Sequence, residues 1–232
     1  MLPSGIFQRT RWRILLVLVV ALLLLRYWPH PALREAFPTS TAIYSRDGEL
    51  LRLALSSDEQ FRVWVDIADI EPRLIEAVQS YEDRWFFYHL GVNPIALLRA
   101  AFTTYSGGQR QGASTLTMQL ARKLYGIRSQ TWQGKLQQIA AALWLEARYS
   151  KREILQAYLN LAPYGGNIEG VGAASLIYFH KRAAALSLPE SLLLSVIPQN
   201  PKQRGAAKIT PSALLQARAR VFETWLKTHP HD

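Results

Sequence analysis

Two adjacent carboxylates, Glu82 and Asp83, precede a run of four aromatic residues that His89 follows. A carboxylate held against bulky apolar rings is poorly solvated when charged, and this favours uptake of a proton. We therefore predict that Glu82 acts as a general base. The same residues also fit a helix end with a solvated Glu-Asp pair, and this run alone leaves both interpretations open.

A second candidate stretch reads Gly-Ala-Ser-Thr-Leu-Thr-Met-Gln-Leu-Ala-Arg over residues 112–122. Glycine and hydroxyl residues before an apolar run are typical of a helix N-terminus, where free N–H groups can hold an anion. Ser114 and Thr115 occupy that position. Gln119 and Arg122 lie one helical turn apart and so share a face. The alternative is an ordinary Ser/Thr helix cap followed by an exposed arginine.

The charge of the chain points to an anionic partner. The 232 residues carry 27 Lys and Arg against 17 Asp and Glu, a net charge of +10. Between Asp83 and Glu146 there is no acidic residue, and this basic stretch contains Lys135. Nucleic acid is a poor candidate, because the bases are interleaved with apolar positions of helix faces. The absence of cysteine excludes disulfides, thiol nucleophiles and thiolate metal sites.

The elements that must position these residues are mainly helical. Asp47-Gly48 lies between two β-prone runs in residues 42–69 and predicts a small hairpin that leads into the domain. Everything after about residue 71 predicts helices. Asn93-Pro94 begins one that extends to about Tyr105, and residues 106–108 end it.

Further helix signals continue to the end of the chain. Residues 132–148 predict a long helix. Its predicted core face consists of Leu136, Ile139, Ala140, Leu143 and Ala147. Capping boxes are predicted at Ser150 with Glu153 and at Ser187 with Glu190, and Thr210-Pro211 begins a final helix. The fold class is therefore mainly α, with a small β-hairpin lead-in.

The N-terminus carries an apolar run of twelve residues, Ile14 to Leu25, preceded by three arginines. It predicts one transmembrane helix with a cytoplasmic N-terminus, although a cleaved signal peptide is the alternative. We predict a cytoplasmic tail and anchor over residues 1–28, a linker over 29–40 and one domain over 41–232. The chain is then a single-pass protein of the bacterial inner membrane with a periplasmic catalytic domain.

Together these stretches resemble the peptidoglycan glycosyltransferase family, the lysozyme-like domain of class A penicillin-binding proteins and of monofunctional transglycosylases. The first family motif, Glu-Asp-x-x-Phe-x-x-His-x-Gly, is matched by Glu82, Asp83, Phe86, His89 and Gly91. The second, Gly-x-Ser-Thr-hydrophobic-Thr-Gln-Gln, is matched by Gly112, Ser114, Thr115, Leu116, Thr117 and Gln119. The fourth is matched within residues 151–181, and the fifth by Pro198, Gln199 and Pro201. The resemblance, from about residue 40 to 225, implies a lysozyme-like helical fold.

Some positions depart from the family pattern. Met118 replaces a Gln, Gly134 and Gln137 replace basic residues, Gln138 replaces a Glu, and His180 replaces a Gly. The Met and Gln exchanges are similar to the penicillin-binding protein 1C branch. Because Gln138 removes the second carboxylate, a scheme that needs two carboxylates loses support.

Glu146 lies two helical turns beyond position 138 on the same predicted helix. A carboxylate there could face the same way as residue 138. We interpret it instead as a surface residue.

The resemblance implies polymerisation of lipid II, a disaccharide-pentapeptide on undecaprenyl pyrophosphate, into glycan strands by an inverting transfer. Glu82 is the implied base, and Lys135 and Arg122 are the cations expected to hold the departing pyrophosphate. Asp83 is expected either to orient a basic partner or to hold a divalent cation, Mg²⁺ or Mn²⁺. The implied substrate-binding residues are His89, Ser114, Thr115, Thr117, Gln119, Arg122, Lys135 and Gln138. The expected partners are lipid II, the growing glycan strand, the membrane and other cell-wall synthesis proteins, with no organic cofactor.

Three other functions remain open. The chain can be the glycosyltransferase half of a truncated bifunctional protein, although it contains no Ser-x-x-Lys acylation motif. A glycan hydrolase has no evident use for the basic stretch or the anchor. A non-catalytic cell-wall scaffold fits Gly134 and Gln138, but the retained Glu82, Lys135 and Gln119 argue against it.

Overall fold

Helices dominate the part of the chain that the computed structural model describes, residues 4–105, 114–201 and 211–231. The helices are α1 (Ser4–Tyr27), α2 (Pro72–Glu82), α3 (Pro94–Tyr105), α4 (Leu116–Leu124), α5 (Trp132–Arg148), α6 (Lys151–Leu161), α7 (Gly170–Phe179), α8 (Leu188–Val196) and α9 (Pro211–Thr228). The strands are β1 (Ala42–Tyr44), β2 (Leu50–Leu53), β3 (Phe61–Arg62), β4 (Pro163–Gly165) and β5 (Ile168–Glu169). The prediction of a mainly helical fold is confirmed.

The predicted hairpin is present at the start of the domain. Strands β1 and β2 pair antiparallel, and the Gly48 N–H donates to the Ser45 carbonyl in the turn between them at 3.1 Å. The sequence signal at Asp47-Gly48 therefore identified both the turn and the pairing.

A second, three-stranded sheet joins the lead-in to the helical body. Strand β5 lies in the centre, parallel to β3 and antiparallel to β4. The prediction of helix throughout the region after residue 71 is wrong at β4 and β5. Gly165 and Gly166 both adopt positive φ and make a turn between two strands, where the sequence suggested only a break between helices.

The helix boundaries follow the predicted caps. Asn93 Oδ1 accepts from the Ala96 N–H at 3.0 Å at the start of α3. The capping boxes at Ser150 with Glu153 and at Ser187 with Glu190 are both formed. Residues 106–108 and Thr210, on which two further predictions rested, lie outside the described residues.

The apolar face predicted for α5 is only partly buried, since Ile139 packs against the core but the leucines of that face do not. Leu136 is 55% exposed and Leu143 is 47% exposed. The buried residues of α5 are Gly134, Gln138, Ala142 and Leu145. Two of these four residues, Gly134 and Ala142, are small, and at Gly134 the neighbouring backbone comes close. A Cβ on Gly134 would lie 1.9 Å from the Arg128 carbonyl oxygen, which also explains why this position cannot carry a basic side chain.

Helix α1 contacts α5 and exposes many apolar side chains, among them Trp12, Ile14 and Leu24. Within the described residues, no helix combines the length and the apolar composition of a membrane span.

Candidate active site

Glu82 and Asp83 lie where α2 ends, beside an open cleft of about 650 Å³. The cleft is also lined by His89, Ser114 and Thr115. The structure thus brings both predicted carboxylates together with the residues that precede α4. Their side chains have different environments, because Asp83 is buried and Glu82 is only half-buried.

Asp83 binds the beginning of α4. Its Oδ2 accepts from the Leu116 N–H at 3.0 Å, and His89 Nε2 lies 3.0 Å from each carboxylate oxygen. Thr115 Oγ1 accepts from the Met118 N–H at 3.1 Å. These contacts occupy N–H groups that a helix N-terminus otherwise offers to a ligand. The anion at the start of α4 is therefore Asp83 itself.

Coordination of Mg²⁺ or Mn²⁺ by Asp83 stays a prediction. Both oxygens of Asp83 already accept hydrogen bonds, and the residue is 7% exposed. Among the residues that the structure describes, no group of three or more His, Asp or Glu side chains is arranged to hold a metal ion. The observed contacts of the Asp83 carboxylate are with His89 and with the first residue of α4.

Glu82 lies at the cleft and contacts Gln119, which lines a second cavity. It lines the cleft, and its Oε2 accepts from Gln119 Nε2 at 2.8 Å. Gln119 in turn lines a second cavity of about 340 Å³, together with Arg122 and Tyr158. The predicted face shared by Gln119 and Arg122 is therefore present, and it meets Glu82 through Gln119.

The two tyrosines near Glu82 were not identified as site residues from the sequence. Burial raises the pKa of the Tyr158 and Tyr164 phenols, and the nearby charge of Glu82 adds to both shifts. Both phenols therefore remain neutral hydrogen-bond donors. Tyr158 falls within the fourth motif, but a buried tyrosine cannot be told from core packing by sequence alone.

Lys135 on α5 contacts Ser114, a residue that lines the cleft. Its ammonium donates to Ser114 Oγ at 2.8 Å and to Gln138 Oε1 at 3.0 Å. Burial lowers the pKa of Lys135, and the charge of Arg122 lowers it further. Both partners of the ammonium are neutral oxygens, so its positive charge remains available to an anion in the cleft.

Gln138 does not reach the cleft directly. It is 1% exposed, and its Nε2 donates to the Met118 carbonyl at 2.7 Å. Its amide therefore lies between α4 and Lys135.

Thr117 is fully buried and points to α5. Its hydroxyl donates to Glu146 Oε1 at 2.6 Å, and the same oxygen accepts from Lys151 Nζ at 2.8 Å. The Glu146 side chain is 6% exposed, so its interpretation as a surface residue is wrong. A Cβ on Gly91 would lie 2.7 Å from Glu146 Cγ, which accounts for glycine at this end of the first motif.

Comparisons with known proteins agree with the motifs. A family model described as transglycosylase matches residues 47–225. Penicillin-binding protein 1C of Escherichia coli strain K12 is 43% identical over 199 residues, 85% of this chain and 25% of the relative. A biosynthetic peptidoglycan transglycosylase of Rhodospirillum centenum is 36% identical over 173 residues, 75% of this chain and 74% of the relative. A crystal structure of penicillin-binding protein 1A from Haemophilus influenzae covers 84% of this chain and 19% of its own, at 20% identity and a TM-score of 0.45.

The chain spans about a quarter of the length of the first of these relatives. The family match covers most of the chain, including both motifs that form the cleft. The resemblance predicted from those motifs is confirmed, and the chain belongs to the transglycosylase family.

Proposed function

We propose that this chain polymerises lipid II into glycan strands by an inverting glycosyl transfer that releases undecaprenyl pyrophosphate. The proposal rests on two groups beside the cleft. One is the half-buried carboxylate of Glu82, and the other is the ammonium of Lys135, whose hydrogen-bond partners among the described residues are neutral oxygens. Glu82 lies at the cleft and is oriented by Gln119, while Lys135 contacts Ser114, which lines the same cleft. Base and cation are the two groups that such a transfer requires.

In the proposed reaction, Glu82 accepts the proton of the acceptor 4-hydroxyl as its oxygen attacks the anomeric carbon of the donor sugar. The bond from that carbon to the pyrophosphate oxygen breaks, and the electron pair leaves with the pyrophosphate. Lys135 and Arg122 stabilise the charge that develops there. The inverted configuration follows from attack opposite the leaving group.

The other predicted residues support this geometry. Asp83, His89 and Thr115 position the start of α4, and Ser114 supports Lys135. Thr117 acts at a distance from the cleft, through Glu146. The proposed transfer uses the side-chain charges of Glu82, Lys135 and Arg122.

The test is incubation of the full chain with labelled lipid II and separation of the glycan products. Glu82→Gln should lower the rate of polymer formation by at least about 100-fold, because the amide cannot accept the proton. Glu76→Gln is the matched control, since Glu76 lies on the same helix with its side chain 51% exposed. It should retain the wild-type rate.

Other products would point to other functions. Shortening of finished glycan strands by the wild type would indicate a hydrolase. A folded wild type that neither lengthens nor shortens glycan would indicate a scaffold. Equal rates for Glu82→Gln and the wild type would remove Glu82 as the base.

We also propose that α1 anchors the chain in the bacterial inner membrane, with the N-terminus in the cytoplasm and the catalytic domain in the periplasm. The apolar run from Ile14 to Leu25 and the arginines before it support this placement. The chain should remain in the membrane fraction after an alkaline carbonate wash. A reporter fused after Asp232 should be active only on the periplasmic side, and cytoplasmic activity would contradict the proposed orientation.

A further inference from the structure

The Gln138 side chain uses both ends of its amide inside the protein. Its Nε2 donates to the Met118 carbonyl at 2.7 Å, and its Oε1 accepts from Lys135 Nζ at 3.0 Å. The residue is 1% exposed and therefore offers no surface to a substrate. Any effect of Gln138 on the reaction must pass through the groups that it contacts.

We propose that Gln138 is a positioning residue, which holds the Lys135 ammonium at Ser114 on the edge of the cleft without neutralising its charge. The inference rests on the proposed function, because it concerns the same cleft and the same cation. It assigns Gln138 a role other than substrate binding.

The chemistry of the amide matches this role. A carbonyl oxygen needs a donor and an ammonium needs an acceptor, and one amide supplies both. A carboxylate at position 138 has no hydrogen to donate to the Met118 carbonyl. It would also form an ion pair with Lys135 and reduce the attraction of that ammonium for a phosphate.

The surroundings of Lys135 explain why a neutral partner matters. Arg122 on α4 is the charged neighbour that acts on Lys135, and both cations would serve the same anionic group. In the described part of the chain, the hydrogen bonds of Lys135 Nζ go to Ser114 and Gln138, and no carboxylate pairs with it. The substrate pyrophosphate would then be the first anion to reach this ammonium.

Two substitutions test the hydrogen bonds of the Gln138 amide and its lack of charge. Gln138→Met keeps the buried volume and removes both hydrogen bonds, whereas Gln138→Glu keeps an acceptor but adds a negative charge. Both are measured in the full chain, alone and combined with Lys135→Ala, with lipid II as substrate. Thermal unfolding of every variant accompanies the rates.

We expect Gln138→Met and Gln138→Glu each to lower kcat by about tenfold, with KM changed by less than about threefold. In the Lys135→Ala background, Gln138→Met should cost less than about twofold more, because its effect passes through Lys135. A wild-type kcat for Gln138→Met, or an equal loss with and without Lys135, would overturn the proposal. A rise in kcat for Gln138→Glu would overturn it as well.

A titration of Lys135 distinguishes the proposed role from a merely structural one, because only the proposed role affects the pKa of this ammonium. The ¹³Cε signal of Lys135, followed by NMR against pH, reports the ionisation of this ammonium. Gln138→Glu should raise the midpoint because a carboxylate stabilises the cation, and Gln138→Met should lower it because an acceptor is lost. If the titration midpoint of Lys135 is unchanged in both variants, the proposed role of Gln138 is wrong. If the wild type makes no polymer, the proposed function fails, but this titration still decides whether Gln138 positions Lys135.

Discussion

Two lysines near opposite ends of α4 have different partners. Near the beginning of α4, the ammonium of Lys135 on α5 contacts the neutral oxygens of Ser114 and Gln138. Lys123, in the last turn of α4, forms an ion pair with the Glu169 carboxylate. The first ammonium is left uncompensated beside the cleft, and the second is compensated within the fold. In the proposed function the charge of Lys135 serves a ligand, whereas the charge of Lys123 holds structural elements together.

The network around Lys123 extends into the β lead-in. Glu169 on β5 also binds Arg62 on β3, and Arg62 contacts Asp58 at 3.0 Å and the Pro38 carbonyl. Arg62 is fully buried. Burial alone would lower the pKa of Arg62, but its hydrogen bonds with Asp58 and Glu169 raise it above its ordinary value. This guanidinium therefore stays charged and ties the lead-in to the helical body.

The largest expected effect is on stability, when Arg62 is replaced. Arg62→Met leaves Glu169 with only Lys123 and leaves Asp58 without its cation. The free energy of unfolding should therefore fall by about 3–5 kcal/mol. Urea unfolding of the detergent-solubilised chain measures this change. Arg73→Met is the control, because Arg73 pairs with Glu71 and its side chain is 45% exposed. It should cost less than about 1 kcal/mol. A loss as small as that of the control would show that the network does not hold the lead-in.

The next effect is on activity and compares the two lysines directly. Lys135→Ala should lower kcat for lipid II by about 100-fold, because the developing pyrophosphate charge loses a donor. Lys123→Ala should lower it by less than about threefold, because that ammonium already pairs with Glu169. Similar losses in the two variants would remove the distinction between the two ends of α4.

The smallest effect is on acid stability and concerns the exposed part of the network. The hydrogen bond from Arg62 lowers the pKa of Asp58 below its ordinary value of 3.8. A carboxyl with a lowered pKa contributes stability above that ordinary value, and the contribution is lost as pH falls through the lowered one. Asp58→Asn should therefore be less stable than the wild type at pH 7, and the gap should narrow below pH 3.8. Urea midpoints across this range measure the gap, and a constant gap would exclude Asp58 as its cause.

Local signals in the sequence predicted much of this molecule. Caps and turn residues identified the helix starts and the hairpin, and motif spacing identified residues that meet around Glu82, because each signal depends on residues close in sequence. The second sheet was missed because β3 and β5 are more than 100 residues apart and each has only two residues. Pairing over such a separation has no local signature.

The errors on α5 have a different physical cause. Its leucines predicted the core face, yet the face that packs inward is made of Gly134, Gln138, Ala142 and Leu145. Close backbone approach favours small residues there, and hydrophobicity does not register that constraint. Glu146 was misjudged for a related reason, because its partners Thr117 and Lys151 come from two other helices.

Asp83 at the start of α4 has a consequence for how this site can change over generations. Almost every residue type carries a backbone N–H group. An anion site built from such groups is therefore little affected when a mutation changes the side chain. Here the Leu116 N–H is already occupied by a carboxylate of the same chain. In the proposed function the phosphate is therefore recognised by side chains, and a single substitution at position 122 or 135 would change how tightly it binds.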